Sequence, residues 1–182
     1  VIETLVTERL VLRPFVPEDL EALALLGAEP TFWWYGLRRA MTPAESAGLL
    51  ARIRAGYSDP EAPSLHAVEE RDSGSLAGYA GLSVPGFLPE ILPAVEVGWR
   101  LGRDFWGRGY ATEAGAAALD WGFGPLGLTE LVSIFEPANA ASGRVMDRLG
   151  FDAGRSTHHP DRGWPLVVRR LAKDRWLGAA PD

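Results

Sequence analysis

The sequence contains no cysteine. That absence removes disulfides, thiolate nucleophiles and Cys-ligated zinc, and it is compatible with a cytoplasmic location. No apolar run is long enough to span a membrane, and the opening VIETLVTERL lacks the charged-then-apolar layout of a secretory signal. Positive charge is in short supply: 18 Lys and Arg against 24 Asp and Glu leave a formal net charge of −6. Non-specific nucleic-acid binding, which draws on Lys and Arg against phosphates, is therefore disfavoured. An acidic surface tolerates a cationic substrate such as an amine. His66, His158 and His159 show no metal-ligand spacing with Asp or Glu and no Ser-His-Asp arrangement, so they read as structural or surface groups. Internal repeats and low-complexity segments are missing too.

What is present is a chain of 182 residues, 47% of them hydrophobic, which is enough for one domain with a sizeable core. Leu10 to Arg13 reads as a short strand closed by Pro14. Pro17-Glu18-Asp19 opens a helix that runs to Leu26, with its acidic residues where the helix dipole favours them. Thr42 caps a second helix reaching about Tyr57, with Pro43 first and Glu45 at capping-box spacing. His66–Glu70 and Leu76–Val84 form a hairpin about Asp72-Ser73-Gly74. A helix from Thr112 to Phe123, a strand from Leu131 to Phe135 and a helix from Ala140 to Leu149, stopped by Gly150, follow. Asp152–Arg155 and Pro165–Leu171 read as a last hairpin, and the tail from Lys173 as ragged. The order predicts a mixed α/β fold.

The chain is organised around AVEVGWRLGRDFWGRGYAT, Ala94 to Thr112. Its first half alternates as a strand does: Val95, Val97, Trp99 and Leu101 share one face, and Glu96, Gly98 and Arg100 the other. Its second half is a glycine turn running into a helix start, a layout able to hold a phosphate. The turn is neither a Walker A loop, since Arg108-Gly109 stands where Lys-Ser/Thr is needed, nor a dinucleotide loop, since Thr112 takes the place of the third glycine. Taken alone it is an ordinary turn. Glu96 alone reads as a solvated strand residue, Asn139 as an N-cap, and Ser142 as a small polar residue heading the apolar stripe Val145, Met146, Leu149. Trp33, Trp34 and Tyr35, in the irregular aromatic run Thr31–Met41, either line a ligand pocket or fill core.

Taken together, these pieces resemble the GCN5-related N-acetyltransferase (GNAT) superfamily, and within it the RimJ/RimL branch. The residues that carry the resemblance are Thr7-Glu8-Arg9-Leu10-Val11-Leu12-Arg13-Pro14, Glu96-Val97-Gly98-Trp99-Arg100-Leu101, Trp106-Gly107-Arg108-Gly109-Tyr110-Ala111-Thr112-Glu113-Ala114, Asn139-Ala140-Ala141-Ser142 and Leu149-Gly150-Phe151. The superfamily's coenzyme loop, Q/R-x-x-G-x-G/A, is matched at Gly109 and Ala111, with Trp106 in the Gln/Arg place as is usual for the branch. The resemblance covers almost the whole chain, read as a single N-acetyltransferase domain over 1–182 with a peripheral tail from about 173.

The resemblance implies a twisted, mostly antiparallel sheet with helices on both faces, whose fourth and fifth strands splay to admit acetyl-coenzyme A. Backbone groups of Trp99 and Leu101 would meet the pantetheine arm, as would Asn139. Amides from Gly107 to Thr112 would hold the pyrophosphate, with Arg103 and Arg108 adding charge. Glu96 would act as general base through a water, a strand N–H would stabilise the oxyanion, and Ser142 would donate to the departing thiolate. No metal is implied. The acceptor is a primary amine: a protein N-terminal α-amine first, a small amine such as an antibiotic, polyamine or amino acid second. A coenzyme-binding module without catalysis is the reading from a different class. Monomer and homodimer both stay open.

Overall fold

The computed structural model describes residues 2–59 and 61–178. Its strands are β1 (Leu5–Val6), β2 (Leu10–Arg13), β3 (Leu65–Glu70), β4 (Leu76–Ser83), β5 (Glu96–Leu101), β6 (Glu130–Phe135), β7 (Arg155–His158) and β8 (Pro165–Ala172). They form one 8-stranded sheet in the order β1-β2-β3-β4-β5-β6-β8-β7. Neighbours run antiparallel except β5 and β6, which are parallel. The helices are α1 (Leu20–Ala28), α2 (Pro43–Ala55), α3 (Tyr110–Phe123), α4 (Ala140–Arg148) and α5 (Lys173–Gly178). Among the described residues no helix is long and apolar enough to cross a membrane.

The alternation along the strands sorts the side chains into two layers. On one face, α3 and α4 close over Leu82, Val97 and Leu131 through Ala118, Leu119, Val145, Met146 and Leu149, all buried. A neighbouring cluster on that face joins Leu10, Leu12, Val68 and Ala80 to Tyr110 and Ala114. On the other face, Leu23 of α1 and Leu49, Leu50 and Ile53 of α2 pack with Phe15 and Ala67. This is the mixed α/β fold the sequence predicts, with helices on both faces.

The one weak seam is between β5 and β6. β4 and β5 pair along their length, from Gly78↔Leu101 to Ser83↔Glu96, whereas β5 and β6 share only Glu96↔Val132. Val132 N–H donates to the Val95 carbonyl at 2.9 Å, so the odd-numbered residues of β5 turn their backbone groups toward β6. Beyond Val97 nothing on β6 answers them. The Leu101 carbonyl is taken instead by the Trp106 indole N–H at 2.8 Å, which finishes the strand without a neighbour. On the other side, Pro137 follows β6 closely and its missing N–H stops the ladder.

Several boundaries differ from the sequence reading, each for a local reason. The Thr42 capping box forms as written, with Glu45 N–H to Thr42 Oγ1 at 3.2 Å and Thr42 N–H to Glu45 Oε2 at 2.8 Å. The helix expected from Glu18 begins as a 3-10 turn, Pro17–Asp19, because Asp19 is drawn to Arg13 at 2.8 Å and to Val16 N–H at 2.9 Å. α3 starts at Tyr110, two residues before Thr112, since Gly109 rather than the alanine run sets its first turn. The last hairpin is displaced: Asp152 still exchanges with Arg170, but the chain turns at Gly154 (φ +81°) and β7 starts at Arg155. The tail from Lys173, expected to be ragged, instead forms α5 as far as residue 178, a helix with no buried residue. Trp176 packs on the α3 side of the core and donates to Asp120 at 2.8 Å. Residues 179–182 of that tail lie outside the described residues.

Candidate active site

The β5–β6 seam opens into a cleft of about 1350 Å³. Small-molecule pockets run roughly 300–1,000 Å³, so this one has room for a long ligand and a second reactant together. β5 from Glu96, Ser133 and Ile134 of β6, the glycine turn before α3, the first turns of α4, the 31–37 segment and the loop after β7 all contribute to its walls. Trp99 presents its N–H and C=O along this gap, with no strand opposite.

The glycine turn forms one end. Gly107 (φ +72°) and Gly109 (φ +82°) hold left-handed conformations, which direct successive amides the same way. Thr112 and Glu113 N–H groups return to the Gly109 carbonyl, at 3.1 Å each. The amides of Gly107, Arg108, Gly109, Tyr110 and Ala111 have no acceptor among the described residues. A run of free amides at the positive end of a 14-residue helix is a site for an anion, pyrophosphate included. The free set therefore stops one residue short of the Gly107–Thr112 span read from the sequence.

The turn is held from below by the start of the chain. Glu113 accepts the Thr7 hydroxyl at 2.6 Å, the Arg9 amide at 2.9 Å and Arg9 Nε at 2.8 Å. Arg9 also donates to the Arg108 carbonyl at 2.8 Å and lies over the Tyr110 ring. Tyr110 donates to Glu70 at 2.6 Å, and Arg108 pairs with the same carboxylate at 2.7 Å while lying over the same ring. Arg108 is thus committed to Glu70, and neither it nor Arg103 lines the cleft. The cations that do line it near this end are Arg9, Arg144 and Arg148. The last two, one helical turn apart on α4, have no ion-pair partner among the described residues, and their i, i+4 spacing just after Ser142 is the signal the sequence reading passed over.

Asn139 caps α4, its Oδ1 accepting the Ser142 N–H at 3.2 Å. Ser142 lies half-buried in the cleft wall, and its hydroxyl makes no hydrogen bond among the described residues. Val145, Met146 and Leu149 bury the rest of the stripe as read.

Glu96 sits at the seam, on the face opposite α3. It keeps a little exposure through the cleft, yet burial drives its pKa up to about 7, against the opposing pull of the Ile134 amide and the Arg100 charge. Arg100, four residues along the strand on the same face, donates to the Phe32 carbonyl at 2.5 Å and lies over Trp33 at 4.2 Å. From there the 33–38 segment crosses the cleft. Tyr35 donates to the Ala138 carbonyl at 2.8 Å, Arg38 pairs with Glu136 at 2.6 Å, and Arg162 donates to the Gly36 carbonyl at 3.0 Å. Trp33 and Tyr35 line the cleft as candidate substrate contacts; Trp34 does not, its ring standing 59% exposed on the outside. The histidines divide. His66 is structural: fully buried, bonded to the Glu3 carbonyl at 3.0 Å and edge-on to Trp121. His159 is half-buried and lines the cleft, stacked on Phe87 at 5.3 Å. Phe87 and Trp164, also in the wall, come from loops that carry no local pattern.

A sequence profile of the acetyltransferase (GNAT) domain matches residues 9–152. The chain is 33% identical to the protein YkkB of Bacillus subtilis over 169 residues, 90% of this chain and 92% of that one. An acetyltransferase structure from Agrobacterium tumefaciens is 30% identical and superposes with a TM-score of 0.77, covering 94% of this chain and 95% of that one. RimL, a ribosomal L7/L12 α-N-protein acetyltransferase solved in complex with coenzyme A, shares the fold at a TM-score of 0.75 and 17% identity, over 93% of this chain and 98% of that one.

Proposed function

This chain belongs to the GNAT acetyltransferase family, whose members use acetyl-coenzyme A, and from that premise we propose that it acetylates a primary α-amine, with a protein N-terminus as first acceptor. The observation that carries this reading is Glu96: a carboxyl with pKa about 7, set where the sheet opens and sharing one cleft with Ser142 and the free amides before α3.

Acetyl-coenzyme A supplies an acetyl group activated as a thioester. Gly107 to Ala111 amides hold the pyrophosphate, aided by the cations Arg9, Arg144 and Arg148. The unpaired backbone of Trp99 and the cap residue Asn139 flank the pantetheine path. A peptide α-amine has a pKa of about 8 and a lysine amine about 10.4. A base with pKa near 7 can relay a proton from the first with little mismatch and from the second with much more. Glu96 takes that proton through a water. A β5 N–H turned toward the gap stabilises the oxyanion. Ser142 donates a hydrogen bond from its hydroxyl to the sulfur as the thiolate leaves, and the thiolate takes its proton from solvent. The cysteine-free chain offers no thiol to carry the acetyl group, in keeping with direct attack by the amine.

One observation favours a small amine instead. The 33–38 segment is fastened across the cleft through Ala138, Glu136 and Arg162, which narrows the acceptor end. Thiol release from acetyl-coenzyme A, measured with N-terminal peptides beside a small-amine library, separates the two. Coenzyme binding without release on any amine would reduce the protein to a binding module.

A further inference from the structure

Two guanidiniums converge on Gly36. Arg162 Nη1 donates to its carbonyl at 3.0 Å, and Arg100 Nη2 lies 3.7 Å from where a Cβ on Gly36 would sit. Gly36 has φ +112°, so the close approach of both side chains rests on a backbone shape that other residues avoid. Neither arginine has a carboxylate partner within salt-bridge distance among the described residues. The third cation nearby, Arg38, is already matched by Glu136 at 2.6 Å.

The balance of charge at this end of the cleft is therefore positive. Of the groups that line it here, Glu136 is neutralised by Arg38, which lies outside the lining, and two guanidiniums, Arg100 and Arg162, remain beside the single carboxyl of Glu96. Arg100 is half-buried and its plane is occupied by Trp33, as Arg162 is held against Trp164 at 4.8 Å. Guanidiniums oriented by stacking, with edges left over, are prepared for a planar anion. Arg100 and Glu96 also share one strand face, four residues and about 13 Å apart at their α-carbons by strand geometry, and their side chains shorten that gap enough for the Arg100 charge to be felt at the Glu96 carboxyl. Both line the same cleft, so a ligand whose amine reaches Glu96 through a water can direct a carboxylate toward Arg100.

We propose that the acceptor amine carries a carboxylate close by, held between Arg100 and Arg162 at Gly36. The inference rests on the amine-acetylating reading above and narrows it. The carboxylate is either the own carboxylate of a free α-amino acid or the side chain of an acidic residue at a peptide N-terminus; the chemistry recognised is the same.

Matched acceptors test it. Thiol release is measured with an α-amino acid against its amide, and with peptides beginning Asp or Glu against Asn or Gln. The carboxylate-bearing member of at least one pair is expected to have kcat/KM higher by about tenfold or more, the yield of a charge-assisted bidentate contact. Arg162→Gln, at an exposed loop position, is expected to bring the two members together, and Arg162→Lys to restore part of the difference. The free-acid pair responding identifies the amino-acid source, and the peptide pair the N-terminal source. Equal use of both members of every pair, or a preference that survives both Arg162→Gln and Arg100→Gln, would overturn the inference while leaving the transferase in place. Silence with every amine would overturn the transferase reading and this inference with it.

Discussion

Arg9 and Glu113 stand 104 residues apart in the chain and meet at 2.6 Å. The contact explains why a short strand at the start of the sequence matters to a turn in its middle. Glu113 belongs to the first turn of α3, and its carboxylate gathers Thr7 and Arg9 beneath the amides that face the cleft. Glu113→Gln keeps the shape and loses the charge. It is expected to raise KM for acetyl-coenzyme A about fivefold, as expected for loss of a bond worth about 1 kcal/mol, with kcat changed less than about twofold. Steady-state kinetics with varied coenzyme reads this directly. Burial pushes the Glu113 carboxyl up, but Thr7 and Arg9 outweigh it and hold the pKa below the ordinary value. The clamp is thus present above the unfolded carboxylate pKa of about 4.3 and is lost as pH falls through the folded value.

Glu96→Gln is expected to lower kcat by about 10²-fold or more and to remove an acid limb near pH 7 from the kcat/KM profile. An unchanged rate and profile would remove Glu96 from the mechanism. The same substitution carries an independent signature in stability. The folded pKa of Glu96 is raised, so ionising it opposes folding: the cost is absent below the unfolded pKa, grows as pH rises, and is complete above about 7. Glu96→Gln is therefore expected to melt higher than the parent at pH 8, by about 1–3 kcal/mol at the ordinary exchange of about 1.4 kcal/mol per unit. At pH 4 the two should melt nearly alike.

Ser142→Ala removes a hydroxyl that makes no bond within the described residues, so its loss should not disturb the fold. The expected result is a kcat lowered about tenfold, the yield of one transition-state hydrogen bond, with KM for acetyl-coenzyme A nearly constant. Asn139→Ala differs in kind. It strips the cap from α4 and costs about 1 kcal/mol of stability, visible in a denaturant melt.

Gly109→Ala places a side chain at φ +82°. Holding that conformation costs about 1–2 kcal/mol, and relaxing it turns the free amides away from the cleft. Weaker coenzyme binding by calorimetry, with little change in the far-UV spectrum, is the expected outcome.

Much of this was legible before any coordinates. The alternation of Val97, Trp99 and Leu101 against Glu96 and Arg100 is a local property, and so are the Thr42–Glu45 box and the breaks at Gly107 and Gly109. Each depends on residues within one turn or one strand. What could not be read depends on distance in the chain. Nothing local tells Arg108 that Glu70 will claim it, or places His159 beside Phe87. Trp33, Trp34 and Tyr35 read as one aromatic run, yet the 3-10 turn at Pro30–Trp33 sends the middle one outward. Tail residues from Lys173 read as ragged because a single indole, Trp176, decides where they dock.

The seam between β5 and β6 has a consequence for the protein's persistence. With one residue pair joining the two halves of the sheet, the free form carries an edge of unspent backbone groups through its centre. Under the proposed reading, a coenzyme lying along that edge is also structural reinforcement, worth about 2.7 kcal/mol at a hundred times its dissociation constant. Amide exchange at Trp99 and along Ser133–Phe135 should slow when it binds. The amount of folded enzyme then follows the supply of the acyl donor: when the donor runs low, the catalyst itself becomes the shorter-lived molecule.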